Sequence, residues 1–201
     1  MLQKYEKNPY LCTIIIICDM EECRQTIRIK DKTFEKFIKE DDIQRVIKEV
    51  AEKINTDLAG KNPLFLIILN GAFMFAADLM KSITVESQIS FVKLSSYSGT
   101  QTTQVVRELI GLDSSIEGRC VVIVEDIIDT GMTMEHLLNT LKRLGAKEVR
   151  IATLTFKPDA FLYDYPIDYI GMSIPNDFVV GYGFDYDGYG RNSADIYKIK
   201  N

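Results

Sequence analysis

Val121 to Val124 is an unbroken run of β-branched residues, and a helical pattern begins only a short turn beyond it. Such a run reads as a strand buried on both faces, as in a parallel sheet. Glu125 and Asp126 follow at once, then Asp129, Thr130, Gly131 and Thr133. Beyond them Met134, Leu137, Leu138, Leu141 and Leu144 recur at helical spacing. The same alternation is repeated along the chain. Strands are predicted at about 64–69, 88–95, 120–125 and 148–156, with helical patterns at 73–81 and 133–144. That order calls for an α/β fold built on an open parallel sheet. Ligands of such sheets sit beyond the carboxyl ends of the strands. Each candidate site segment falls just after a strand.

The turn after Val124 suits a sugar phosphate. Backbone N–H groups ahead of a helix form a concave donor nest, and the helix N-terminus adds partial positive charge. Gly131 lets a phosphate approach the backbone closely, and Thr130 and Thr133 offer hydroxyls. Adjacent carboxylates repel phosphate but accept hydrogen bonds from sugar hydroxyls. The parts together fit a ribose phosphate, with the acids on the diol and the nest on the 5′-phosphate. An acidic turn serving only as an N-cap is the plainer alternative.

Glu125-Asp126-Ile127-Ile128-Asp129-Thr130-Gly131, with its preceding strand, resembles the phosphoribosyl pyrophosphate (PRPP) binding motif of type I phosphoribosyltransferases. The nearer resemblance is to the hypoxanthine-guanine phosphoribosyltransferases. It implies that Ile128 to Thr133, Met132 included, surround the phosphate, and that Asp129 is the general base. Three further motifs carry the resemblance in the same order. Asn70-Gly71-Ala72, after the apolar run Leu64 to Leu69, is similar to the family's pyrophosphate-binding loop. Some relatives carry lysine at its first position and many carry serine or glycine at its third. Ser96 and Tyr97, in a polar tract running to Thr103, match a catalytic lid; composition alone would favour a surface loop. Lys157, ending the strand at 148–156, matches the residue that donates to the 6-oxo group of a purine.

The tail from Ile174 to Asn192 is rich in aromatics and glycine, as an irregular hairpin also would be. By resemblance Phe178 stacks on the purine, the Val179 backbone reads its edge, and Asp185 holds magnesium carrying pyrophosphate. Arg191 contacts that pyrophosphate. Glu125 and Asp126 join Asp185 as candidate metal ligands. The tail and a segment near the N-terminus are expected to form a small hood over the base.

The resemblance thus implies purine salvage: a phosphoribosyl group passes from PRPP to N9 of hypoxanthine or guanine, giving IMP or GMP and pyrophosphate. Two alternatives are a transferase preferring xanthine and a regulatory protein that binds PRPP or nucleotide. The regulatory class should carry a basic nucleic-acid-binding surface or an added domain. This chain has 201 residues and a net charge of −5, which argues against a nucleic-acid partner. The family also implies a homodimer or homotetramer.

Cys12, Cys18, Cys23 and Cys120 make no Cys-x-x-Cys pair, and His136 is the single histidine, so structural zinc is not expected. Low cysteine content and no secretory pattern suggest the cytoplasm. Residues 27–201 are read as one domain and 1–26 as an extension. Leu11 to Cys18 is apolar but too short to span a bilayer. Residues 1–19 fit an added strand, an interaction tail or a start codon properly at Met20. Thr33 to Ile54 is expected to be helical, with Asp41 and Asp42 capping its second half.

Overall fold

A computed structural model describes residues 25–93 and 116–200. The expectations for Ser96, Tyr97 and the first nineteen residues lie outside that range.

Five parallel strands form the central sheet: β3 (Leu64–Leu69), β4 (Gln88–Lys93), β5 (Cys120–Ile128), β6 (Glu148–Phe156) and β7 (Tyr169–Ser173), in the order β4-β3-β5-β6-β7. Strand alternation sorts their side chains to two faces. Phe65, Ile67, Val122, Val124 and Leu154 pack with α1 (Glu40–Asp57) and α2 (Phe73–Ser82). Leu66, Ile68, Val121, Ile123 and Ile151 pack with α3 (Met132–Arg143). Both faces are covered, which is why β3 and the first half of β5 are continuously apolar.

A second, antiparallel sheet is the hood. It joins β1 (Thr26–Ile29) and β2 (Lys32–Ile38) to β9 (Ile196–Ile199) and β8 (Val179–Val180). The N-terminal segment and the tail therefore meet as expected. The hood is tied to the helical layer through Asp78 on α2. Its carboxylate accepts hydrogen bonds from the Tyr182 hydroxyl (2.5 Å) and the Gln44 amide (2.7 Å).

Three expectations are corrected. Residues 33–38 are strand, not helix: Phe34, Phe37 and Ile38 happen to fall at helical spacing, but Phe34 pairs with Ile199 and is fully buried in the hood. Tertiary pairing overrides a short local pattern. Asp41 and Asp42 instead lie in the first turn of α1, where negative charge suits the helix dipole. The Glu40 N–H there is capped from afar by Asp195 Oδ1 at 2.9 Å. Strand β7 was not foreseen, because Tyr-Ile-Gly-Met-Ser is neither a continuous apolar run nor a clean alternation. Finally, β5 runs to Ile128, so Glu125 and Asp126 belong to the strand and not to the turn after it.

Candidate active site

The carboxyl end of β5 opens into a cavity of about 220 Å³ lined by Glu125 and by Ile127 through Met134. Every residue of the expected phosphate turn borders it. Gly131 starts α3 with φ 85°, a left-handed conformation in which side chains are disfavoured. A Cβ there would also lie 2.6 Å from both the Phe161 ring and the Tyr165 hydroxyl. Gly131 is thus required twice, by conformation and by the aromatic wall behind it.

Glu125 borders the cavity, whereas Asp126 is buried and turned elsewhere. Its Oδ2 fills the space a side chain at Gly71 would need, 1.9 Å from that Cβ position. Burial, reinforced by the neighbouring Asp126 carboxyl, pushes Glu125 well above the usual carboxylate range. The carboxyl ends of β5 and β6 also bring Asp129 and Lys157 together. Lys157 Nζ lies 3.2 Å from Asp129 Oδ2, and the Lys157 N–H donates to the Ile128 carbonyl at 3.0 Å. Lys157 is buried while Asp129 remains half-exposed.

A second cluster forms where the hood meets the Asn70-Gly71 turn. The Leu69–Asn70 peptide is cis. Gly183 faces the Gly71 carbonyl so closely that a Cβ would sit 2.1 Å from its oxygen. Arg191 donates to the Gly183 carbonyl at 2.6 Å and pairs with Asp185 at 2.6 Å. The other Asp185 oxygen accepts the Gly188 N–H at 2.6 Å. Asn70, Gly71, Asp185 and Arg191, far apart in sequence, therefore share one corner with Asp126 beneath it.

Phe178 exposes 48% of its surface. Phe34 and Tyr186 pack against it at centroid distances of 6.3 and 6.0 Å, which fixes the ring and leaves a face free for stacking. Val179 pairs with Lys198 in the hood. His136 is half-buried on α3 and is not among the residues that line the cavity.

Among the described residues, no three His, Cys, Asp or Glu side chains gather as a metal site. Glu125, Asp126 and Asp185 do not make one cage. A magnesium ion that keeps its waters and takes phosphate oxygens needs only one or two carboxylates. Asp185, held in place by Arg191 and the Gly188 N–H, fits that lesser demand.

Phe161 and Tyr165 are the site residues that motif reading missed. They follow Lys157-Pro158 in an alternating Phe161-x-Tyr163-x-Tyr165 pattern, the one sequence signal that could have flagged them.

A five-stranded parallel sheet with its polar turns at the strand ends and a small hood above them is an α/β architecture whose ligands sit beyond the strand ends. The phosphoribosyl transferase domain family matches residues 38–187, so the chain belongs to that family. It is 44% identical over 154 residues to the hypoxanthine-guanine phosphoribosyltransferase of Streptococcus agalactiae, covering 76% of this chain and 86% of that relative. It is 42% identical over 164 residues to the Lactococcus lactis protein of the same name, covering 81% and 89%. The crystal structure of a hypoxanthine-guanine phosphoribosyltransferase from Bacillus anthracis superimposes with a TM-score of 0.76 at 35% identity, covering 83% of this chain and 97% of that one. Within the family, the chain groups with these hypoxanthine-guanine enzymes.

Proposed function

We propose that the protein is a purine-salvage transferase that moves the 5-phosphoribosyl group of PRPP to N9 of hypoxanthine or guanine. The bond from the sugar C1′ to the pyrophosphate oxygen breaks, the C1′–N9 bond forms, and the purine loses its N7 proton. The observation that carries this reading is the pairing of Lys157 with Asp129, a residue that lines the cavity. A fixed ammonium donor suits a purine 6-oxo group and rejects the 6-amino group of adenine. The carboxylate beside it accepts the N7 proton.

The remaining residues then take consistent roles. Amides of Ile128 through Thr133 and the Thr130 and Thr133 hydroxyls hold the 5′-phosphate. Glu125, on the cavity wall, and Asp126, beneath Gly71, accept from the ribose hydroxyls. Asn70-Gly71 amides and Arg191 receive the departing pyrophosphate, where a planar guanidinium suits phosphate oxygens. Asp185 would hold magnesium, which would supply further positive charge at that leaving group. Phe178 stacks on the base while the Val179 backbone reads its edge. We place the protein in the cytoplasm as a dimer or tetramer; among the described residues no helix is long and apolar enough to cross a membrane.

The test is a steady-state assay with PRPP, magnesium and each of hypoxanthine, guanine, xanthine and adenine, scored as nucleotide formed. Turnover of hypoxanthine and guanine without adenine is expected. PRPP binding without turnover of any base would overturn the reading in favour of a regulatory binder.

A further inference from the structure

We propose that Tyr165 is a positioning residue for the 5′-phosphate: it holds the phosphate turn in its donor-outward form from behind. The inference rests on the phosphoribosyl reading of the cavity. Two successive carbonyls of the turn are tied to the segment after β6. The Thr130 carbonyl accepts the Leu162 N–H at 3.1 Å. The Gly131 carbonyl accepts the Tyr165 hydroxyl at 2.7 Å, together with the Glu135 N–H at 3.0 Å.

In a planar trans peptide the N–H points opposite to the C=O. With both carbonyls drawn back, the N–H groups of Gly131 and Met132 face the other way, toward the cavity. Consecutive outward amides are what an anion nest requires. Gly131 itself is buried, while Thr130, Met132 and Thr133 on either side are exposed.

The tether is itself rigid. Phe161 packs edge-on against Tyr165 at 5.1 Å and against Phe156, in β6, at 5.3 Å. Phe156 precedes Lys157, so one aromatic stack buttresses both the phosphate turn and the strand end that carries the base reader. Gly131 needs this support: its left-handed backbone belongs to the residue type with the most alternative conformations. Without the Tyr165 hydroxyl, the turn spends more time with its amides misdirected, and apparent affinity falls in proportion to the competent fraction.

The variant is Tyr165→Phe, which deletes the hydroxyl and keeps the ring in its stack. Ribose 5-phosphate binding is measured by calorimetry, and turnover with PRPP and hypoxanthine by steady-state kinetics. Loss of one hydrogen bond at the turn is expected to weaken ribose 5-phosphate roughly tenfold and raise the PRPP KM similarly. The hypoxanthine KM and the inhibition constant of pyrophosphate, whose proposed contacts lie elsewhere, stay within about twofold. Equal ribose 5-phosphate affinity in the two proteins overturns the proposal. So does a uniform loss across phosphate, pyrophosphate and base, which would make Tyr165 merely structural. A wild-type protein that binds ribose 5-phosphate but turns over no base overturns the transferase reading and leaves the affinity comparison in force. One that binds no phosphate ester overturns both.

Discussion

Lys157 Nζ and Asp129 Oδ2 stand 3.2 Å apart, an ion pair whose lysine is buried and whose carboxylate is half-exposed. Two residues with separate expected duties, reading the base and removing its proton, thus constrain each other. The pair fixes the buried ammonium of Lys157, while half of the Asp129 side-chain surface stays exposed.

Asp129→Asn should lower kcat by ~10²–10⁴-fold, the range for a single general base. PRPP binding, carried by the turn amides, should survive within a few-fold. Paired steady-state and PRPP-binding measurements decide it. An unchanged kcat would reduce Asp129 to an ordinary helix-start carboxylate.

Lys157→Met should cut kcat/KM for hypoxanthine by about a thousandfold, since the 6-oxo acceptor would be left unpaired in a buried site. Adenine should gain relative to hypoxanthine. The ratio of the two kcat/KM values is the readout, and a ratio that does not move removes Lys157 as the reader.

Gly71→Ala should disable the pyrophosphate corner. The new methyl group would overlap Asp126 Oδ2, which lies 1.9 Å from the Cβ position. Either the turn or the acid must shift, at a cost of about 1–3 kcal/mol typical of overpacking. The expected result is a depressed melting temperature together with a raised PRPP KM. A variant as stable and as active as the parent would show that the two groups do not press on each other.

The hood's attachment should depend on acidity through Asp78. Burial pushes its carboxyl up, and hydrogen bonds from Lys81, Tyr182 and Gln44 outweigh that, leaving it below its ordinary value. A carboxyl depressed on folding contributes stability above its unfolded pKa and loses it as pH falls through the lower folded value. Tyr182→Phe should therefore cost about 1.5–3 kcal/mol at pH 7, the size of a hydrogen bond to a charged group. The gap from the parent should narrow as pH falls below the ordinary aspartate range. Urea midpoints across that range give the comparison, and a gap independent of pH would mean that the Asp78 charge is not what Tyr182 stabilises.

Much of the sheet was legible because its chemistry is local. Leu64 to Leu69 and Cys120 to Val124 are apolar throughout, since helices cover both faces, and that pattern needs no partner to be recognised. The turn from Asp129 to Thr133 was legible for the same reason: its acid, hydroxyls and glycine stand together in sequence. Strand β2 was misread because helical spacing of Phe34, Phe37 and Ile38 cannot reveal that Ile199 lies opposite. Strand β7 was missed because its residues become a strand only by pairing with β6.

The sequence by itself determined the alternation of β3 to β6 with α2 and α3, the side-chain types at those strand ends and the phosphate turn. Each depends on periodicity or on neighbours a few residues away. The tertiary structure alone decided which of those residues meet. Asp126 lies under Gly71, Gly183 against the Gly71 carbonyl, Asp129 beside Lys157, and Tyr165 behind Gly131. These contacts join segments tens of residues apart, and their distances are set by how sheet, hood and aromatic wall pack together, which no local pattern encodes.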